Sequence, residues 1–374
     1  MTTVAIVHDY LTQRGGAERV VLSMARAFPQ APIYTSLYDP GGTFPEFTDL
    51  DVRPMWLTRV SPLRHHHRLG LPILAPAFSR LRVRADVVLC SSSGWAHGTH
   101  VEGRKIIYCH TPARWLYQTD RYLGAGSRIS RAALAVLRPG LVAWDRRAAA
   151  TADRYLANST AVARRIFDTY GIRAEILPPP HSIYPAGPQA TIAWLEPGLY
   201  LCVSRLLPYK NVDVVMEAFR GLEQRLVIVG TGPEEARLRA MAPPNVRLVG
   251  RVDDAQLRWL YANCHAVIAA SYEDYGLTPL EGAAFGKPAA VLRWGGFLDT
   301  VVEGVTGVFF DALSVPAIRS ALESLTRDKW EGWRLKLHAS RFSQEAFAAR
   351  LLQVAHAGPV QTSDNRVPDR DADE

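Results

Sequence analysis

Lysine is scarce in this chain: only five of its 43 basic residues are Lys, and the rest are Arg. Cysteine is rarer still. Cys90, Cys109, Cys202 and Cys264 are scattered, mostly at the ends of apolar runs, with no C-x-x-C pair. That argues against a disulfide framework and reads as buried free thiols in a reducing compartment. No apolar run reaches the ~20 residues needed to span a bilayer. The N-terminus enters the apolar run Val4–Val7 without a basic region or cleavage site, so no signal peptide is expected and a cytosolic location follows. A G-x-G-x-x-G fingerprint is missing too, and no acid is placed for a dinucleotide ribose, which sets aside a dinucleotide site.

What is present is ordinary in amount and uneven in place. At 374 residues the chain can form two domains, each with its own core. The net charge is +7, yet residues 1–186 hold 23 Arg plus Lys against 13 Asp plus Glu, while the remainder holds 20 against 23. An anionic partner for the N-terminal half is implied. Arg53–Arg84 concentrates this feature: Arg59, Arg64, Arg68, Arg80 and Arg82 interleave with Trp56, Leu57, Leu63, Leu74 and Phe78 around His65-His66-His67. Such a mixture suits a segment lying on an anionic membrane surface. It equally suits a core-packing helix with a solvated basic face. Three adjacent histidines point in different directions on a helix, so no metal site is expected there. No nucleic-acid motif accompanies the charge.

Apolar strands alternate with amphipathic helices along the chain, which predicts parallel sheets. Strands are expected at Val4–Val7, Pro32–Leu37, Val87–Cys90, Ile106–Tyr108, Tyr155–Ala157 and Ala174–Leu177, then at Leu199–Val203, Leu226–Val229, Val246–Val249 and Ala266–Ala270. Between the two series Pro178-Pro179-Pro180 and Tyr184–Pro188 sustain neither helix nor central strand. Domains are therefore expected over residues 1–184 and 185–342, followed by a helix over 343–357 and a disordered polar tail over 358–374.

Ser271–Pro288 (SYEDYGLTPLEGAAFGKP) organises the chemistry. Glu273 and Glu281 have seven residues between them, a spacing that splays them by roughly 80° on one helix. A strand–turn–helix reading instead puts Glu273 in the turn and Glu281 on the first helical turns, both at the carboxyl edge of a sheet. The helix N-terminus near Gly276 and Leu277 adds free amides that suit an anion. Two more segments have the same character. Ser204–Asn211 (SRLLPYKN) carries Arg205 and Lys210 in one strand-to-helix connection, able to neutralise a diphosphate. Gly15-Gly16 opens a helix where a phosphate can approach bare backbone. His110 lies just past a strand end in YCHTPARW. Each element alone is more often structural.

Together these segments resemble glycosyltransferase family 4, retaining nucleotide-sugar enzymes of GT-B architecture. The E-x7-E signature, the R-x4-K of Arg205 and Lys210, HDYL…GGAERV and YCHTPARW carry the resemblance, which runs from residue 1 to about 356. It implies two Rossmann-like parallel-sheet domains facing an interdomain cleft, with a C-terminal helix returning to the first domain. It further implies that His110, Glu273, Arg205 and Lys210 are catalytic. Gly15, Gly16, Gly230, Val252, Gly276, Leu277 and Glu281 would join them around the donor, and Asp9, Tyr10 and Trp115 would face the acceptor. Gly295-Gly296 reads as a flexible pair near the diphosphate, with Trp294 where relatives hold a small residue. With side-chain cations on the diphosphate no metal is expected, and Asp369-Arg370-Asp371 in the tail is accidental. The wording is most similar to bacterial mannosyltransferases using GDP-mannose, with UDP-glucose the rival donor. A lipid-linked or polysaccharide acceptor at the inner face of the membrane is implied. A GT-B epimerase, a phosphorylase or a non-catalytic scaffold are the competing readings.

Overall fold

The computed structural model describes residues 2–65, 70–118 and 128–358. His66, His67, Arg68 and the D-x-D at Asp369–Asp371 lie outside the described residues. The chain divides into two compact units: one holds residues up to Pro179 and resumes at Phe347, and the other is Pro180–Ala346.

The first unit is a seven-stranded parallel sheet of β1 (Val4–His8), β2 (Ile33–Thr35), β3 (Val52–Pro54), β4 (Arg82–Ser92), β5 (His100–Cys109), β6 (Arg154–Ala157) and β7 (Glu175–Ile176). Their order is β3-β2-β1-β4-β5-β6-β7. Successive residues of a strand face opposite sides, and here both sides are apolar. Ala5, Val7, Val88, Cys90 and Ile107 enter one core layer, while Ile6, Val87, Leu89, Ile106 and Tyr108 enter the other. Into that second layer Phe347, Leu351, Val354 and Ala355 project from the helix Gln344–His356, at the spacing of one helical face.

The second unit repeats the plan with β8 (Leu199–Val203), β9 (Leu226–Val229), β10 (Val246–Gly250), β11 (Cys264–Ala269), β12 (Ala289–Leu292) and β13 (Gly307–Phe310). Its six parallel strands run in the order β10-β9-β8-β11-β12-β13. In both sheets the first-formed strand lies beside the fourth, so connections leave that pair in opposite directions. Open α/β sheets bind their ligands at the carboxyl ends of such a pair.

Two expectations need correction. β4 and β5 begin well before their apolar cores, because Arg82, Arg84 and His100 alternate outward while Val83 stays buried. Arg53–Arg84 is therefore not one helix or loop: it runs through β3, a 3-10 turn (Trp56–Arg59), the helices Ser61–His65 and Leu71–Arg80, and into β4. Leu57, Leu63, Leu74 and Phe78 pack in the core, whereas Trp56, Val60 and Ile73 are exposed. Among the described residues no helix is long and apolar enough to cross a membrane.

Candidate active site

In the second unit, one pocket is lined by Ser204, Lys210, Ser271, Glu273, Gly276 and Leu277 at the ends of β8 and β11. Lys210 Nζ donates to Glu273 Oε1, and the Ser271 hydroxyl donates to the same oxygen at 3.0 Å. Local geometry explains how a lysine from β8 meets a glutamate from β11. Asn211 takes a left-handed conformation (φ 51°), which Asn tolerates better than most residues. Its amide donates to Tyr209 O (3.2 Å) and to Ala270 O (2.8 Å), tying the lysine turn to the end of β11. Glu273 is held from the other side. A Cβ on Gly295 (φ 56°) would collide with the Glu273 carbonyl, and the Gly296 amide donates to it at 3.0 Å. The Gly295-Gly296 pair is thus a packing surface for the Glu273 turn rather than a flexible hinge. Trp294 packs edge-on to Tyr272, with ring centroids 5.1 Å apart.

Glu281 is buried one turn further along the helix Leu277–Ala284. Its oxygens accept from Ser182 Oγ (3.0 Å) and Tyr261 OH (2.6 Å), two partners that nothing in the local wording announces. Arg205 is exposed and contacts Tyr209 OH at 3.5 Å, outside the Lys210–Glu273 pocket. Gly230 (φ 135°) backs onto the Ser204 carbonyl, where a Cβ would not fit. Val252 is half-buried against the core beneath.

The first unit gathers a different set. Asp9 is buried, and its carboxylate accepts from the amides of Ser93 (2.7 Å), Trp95 (3.1 Å) and Ala96 (2.7 Å). Burial raises its pKa, opposed by His8 and by those amides. Asp9 therefore shapes the loop after β4 rather than standing free. The Trp115 ring is buried and stacked on Trp95, centroids 4.6 Å and planes 13° apart. It offers no open face to a sugar, because an aromatic next to a site signals packing as readily as binding. Tyr10 is half-buried against the same layer. Gly15 abuts the Glu18 carboxylate, whereas a Cβ on Gly16 would meet nothing within 4 Å. Gly16 begins the helix Gly16–Ala27.

His110 is partly exposed, and its Nε2 lies 2.8 Å from Ser91 Oγ. Burial, and then the neighbouring His8, push its pKa down to about 3, so the ring is neutral near pH 7. Among the described residues no three His, Cys, Asp or Glu side chains converge as metal ligands.

Two parallel-sheet α/β units in succession are the plan of the GT-B fold. Solved structures of that class match along the chain. HepE of Anabaena in complex with UDP superposes with a TM-score of 0.69 over 94% of this chain and 99% of that one, at 14% identity. The models for Glycosyltransferase Family 4 and Glycosyl transferases group 1 match residues 14–182 and 191–349, and the chain belongs to glycosyltransferase family 4. It is 29% identical over 192 residues to the D-rhamnosyltransferase WbpZ of Pseudomonas aeruginosa, covering 48% of this chain and 49% of that protein. To glycogen synthase of Thermus thermophilus it is 32% identical over 169 residues, 43% of this chain and 39% of the relative. The matched regions thus span half or less of these curated relatives.

Proposed function

We propose that this protein is a retaining glycosyltransferase that moves a hexose, with mannose from GDP-mannose as first choice, to a lipid-linked or polysaccharide acceptor. The observation that carries the reading is the Lys210–Glu273 pair in a pocket at the N-terminus of the helix Leu277–Ala284. Cleaving the sugar–phosphate bond leaves an oxocarbenium-like sugar and a departing nucleoside diphosphate. Charge grows on the diphosphate, and preorganised cations and helix amides stabilise it without rearrangement. Lys210 fills that role with the amides after Gly15-Gly16 and at Gly276-Leu277, and Arg205, which stands outside the pocket here, swings onto the bound diphosphate, which makes a metal unnecessary. Glu273, released from Lys210, takes sugar hydroxyls or the developing positive ring. Glu281, oriented by Ser182 and Tyr261, takes the ribose hydroxyls through the lone pairs those partners leave. His110 contacts the donor sugar. Gly230 and Val252 line the nucleotide side, and Tyr10 the acceptor side. Attack comes from the face the diphosphate leaves.

UDP-glucose is the second reading for the donor, favoured by the HepE structures, whose ligands are UDP and UDP-glucose. Thermal shift with GDP-mannose, UDP-glucose, GDP and UDP separates the two, because a ligand specific for the fold raises its melting temperature by mass action. Turnover with lipid-linked acceptors then follows. Stabilisation by neither nucleotide family would end the reading.

A further inference from the structure

His8, Ser91 and His110 come from three adjacent strand ends and share a hydrogen-bonded chain. His8 Nδ1 lies 3.1 Å from the Ser91 carbonyl oxygen and 3.0 Å from Ser91 Oγ. Ser91 Oγ in turn lies 2.8 Å from His110 Nε2. Donor and acceptor roles follow from valence. A carbonyl oxygen only accepts, so His8 Nδ1 carries a hydrogen. Ser91 Oγ shares that donor, which directs the single hydroxyl hydrogen towards the remaining neighbour. Accepting from both rings would leave the hydroxyl hydrogen of buried Ser91 without a neighbour, so His110 Nε2 accepts it, and a neutral imidazole that accepts at Nε2 carries its proton on Nδ1.

The inner end of the chain is anchored. His8 Nε2 stands 4.0 Å from Glu18 Oε1, which also accepts from Gln13 Nε2 at 3.0 Å. The other oxygen, Glu18 Oε2, is buried without a partner. Asp9 and His110 are the other titratable groups facing His8; the two rings meet edge-on at 6.4 Å. Glu18, Asp9 and the Ser91 carbonyl outweigh burial and leave His8 above its ordinary value. A second serine–histidine pair next door behaves differently. Ser92 Oγ meets His97 Nδ1 at 2.8 Å, and His97 Nε2 meets Asp145 at 3.0 Å, but all three are buried and present nothing outward. Only the His8–Ser91 chain ends on a partly exposed ring.

We propose that His8 and Ser91 are positioning residues that hold His110 as the neutral Nδ1–H tautomer, so that His110 offers a sugar oxygen a donor and never acts as a base. The tautomer assignment stands on this chain alone; its use on a sugar rests on the glycosyltransferase reading. The proton lost by an acceptor hydroxyl must then go to a group other than His110.

The test is long-range proton–nitrogen NMR on full-length protein with 15N-labelled histidine, with His110 assigned by the signals lost in H110Q. The expected spectrum has a protonated-type Nδ1 and an unprotonated-type Nε2 for His110, unchanged through pH 6.5. S91A removes the hydroxyl donor and shifts the ring towards the Nε2–H form that predominates in free histidine. H8L leaves the Ser91 hydroxyl free to accept, and the tautomers mix. H8N, whose amide stands where Nδ1–H stood, restores the Nδ1–H form. An Nε2–H ring in the wild type, a ring that titrates near 6.5, or unchanged His110 signals in both S91A and H8L each overturn the inference. If S91A fails to fold, the H8L and H8N pair decides. Thermal shift of the same samples with GDP or UDP, which carry no sugar for His110 to meet, reads the nucleotide site separately from the tautomer. An Nε2–H ring with a clear nucleotide shift sinks the chain alone, whereas an Nδ1–H ring with no nucleotide shift supports the chain and sinks the activity.

Discussion

Lys210→Ala separates what the lysine does for the fold from what it does for a leaving diphosphate. In the fold it neutralises Glu273, and the two side chains are 10% and 28% exposed. Unit charges about 4 Å apart attract by about 4 kcal/mol at an effective dielectric of 20. Screening at a partly open site and the cost of holding both chains reduce the net to about 1 kcal/mol. Glu273 also keeps its Ser271 partner, so it is not stranded. The variant should therefore melt within a few degrees of wild type. At the transition state the same lysine is a preorganised cation against growing charge, a contact worth about 2–4 kcal/mol, or roughly 30- to 1000-fold in rate. Glu273→Gln adds a second arm. It frees Lys210 from its resting partner, so the bare nucleoside diphosphate should bind more tightly while turnover falls. Calorimetric titration with GDP or UDP gives the first quantity, and nucleoside diphosphate release under kcat/KM conditions gives the second. Turnover of Lys210→Ala near wild type, or diphosphate binding weakened in Glu273→Gln, would refute the assignment.

The proposed function has Lys210 and Arg205 supply the charge, and on that reading turnover should survive EDTA; a loss restored by Mn²⁺ contradicts it. Acid should weaken the fold through His110. Its pKa is about 3 folded against an ordinary 6.5, so between those values the unfolded chain binds the extra proton and stability falls as pH drops. His8, raised in the fold, works in the opposite sense, and its contribution is lost as pH climbs through its folded value. Denaturant melts of H110Q should show a shallower decline from pH 6.5 to 4 than wild type. Phe347→Ala should cost about 3–5 kcal/mol, the scale for emptying a buried aromatic site, and appear as a lower denaturant midpoint. Removing Arg59 and Arg80, exposed near Trp56 and Ile73 in sequence, should reduce sedimentation with anionic vesicles; unchanged binding marks them as a solvated face.

Which of these features a reader of the sequence can find depends on how local the determinant is. SRLLPYKN and EDYGLTPLEG are legible because a strand end, a turn and a helix start lie within a dozen residues, and their polar side chains meet across β8 and β11. Arg205 shows the limit, since its spacing from Lys210 says nothing of which way it faces, and it stands outside the pocket. Ser182 and Tyr261 are 99 and 20 residues from the Glu281 they hold. Ser91 is 83 residues from His8, and only the parallel register of β1 on β4 makes them neighbours. A serine in an apolar strand carries no signal by itself, whereas its pairing partner does. Trp115 fails for another reason: composition identifies an aromatic but not the neighbour, Trp95, that covers it. The early half of β4 was hidden by arginines that read as surface while alternating with buried Val83, and that of β5 by exposed His100 and Glu102 around half-buried Val101.

The two units solve different electrostatic problems with one topology. Each places its polar residues where β1 meets β4, or β8 meets β11, at the carboxyl ends. In the second unit these residues are formally charged and paired with each other, Lys210 with Glu273. A pairing of that kind suits an incoming polyanion, because exchanging one anion for another leaves no cation unpaired in a low-dielectric pocket. In the first unit the corresponding groups are locked by hydrogen bonds of fixed direction, buried Asp9 to three amides and partly exposed His110 to Ser91. A neutral sugar gives no charge to attract, and discrimination among its hydroxyls depends on donors and acceptors whose polarity cannot invert. Burying the His8–Ser91 chain supplies that constancy. The same burial disfavours an imidazolium at His110, so a fixed donor and a proton-accepting base are alternatives at this position.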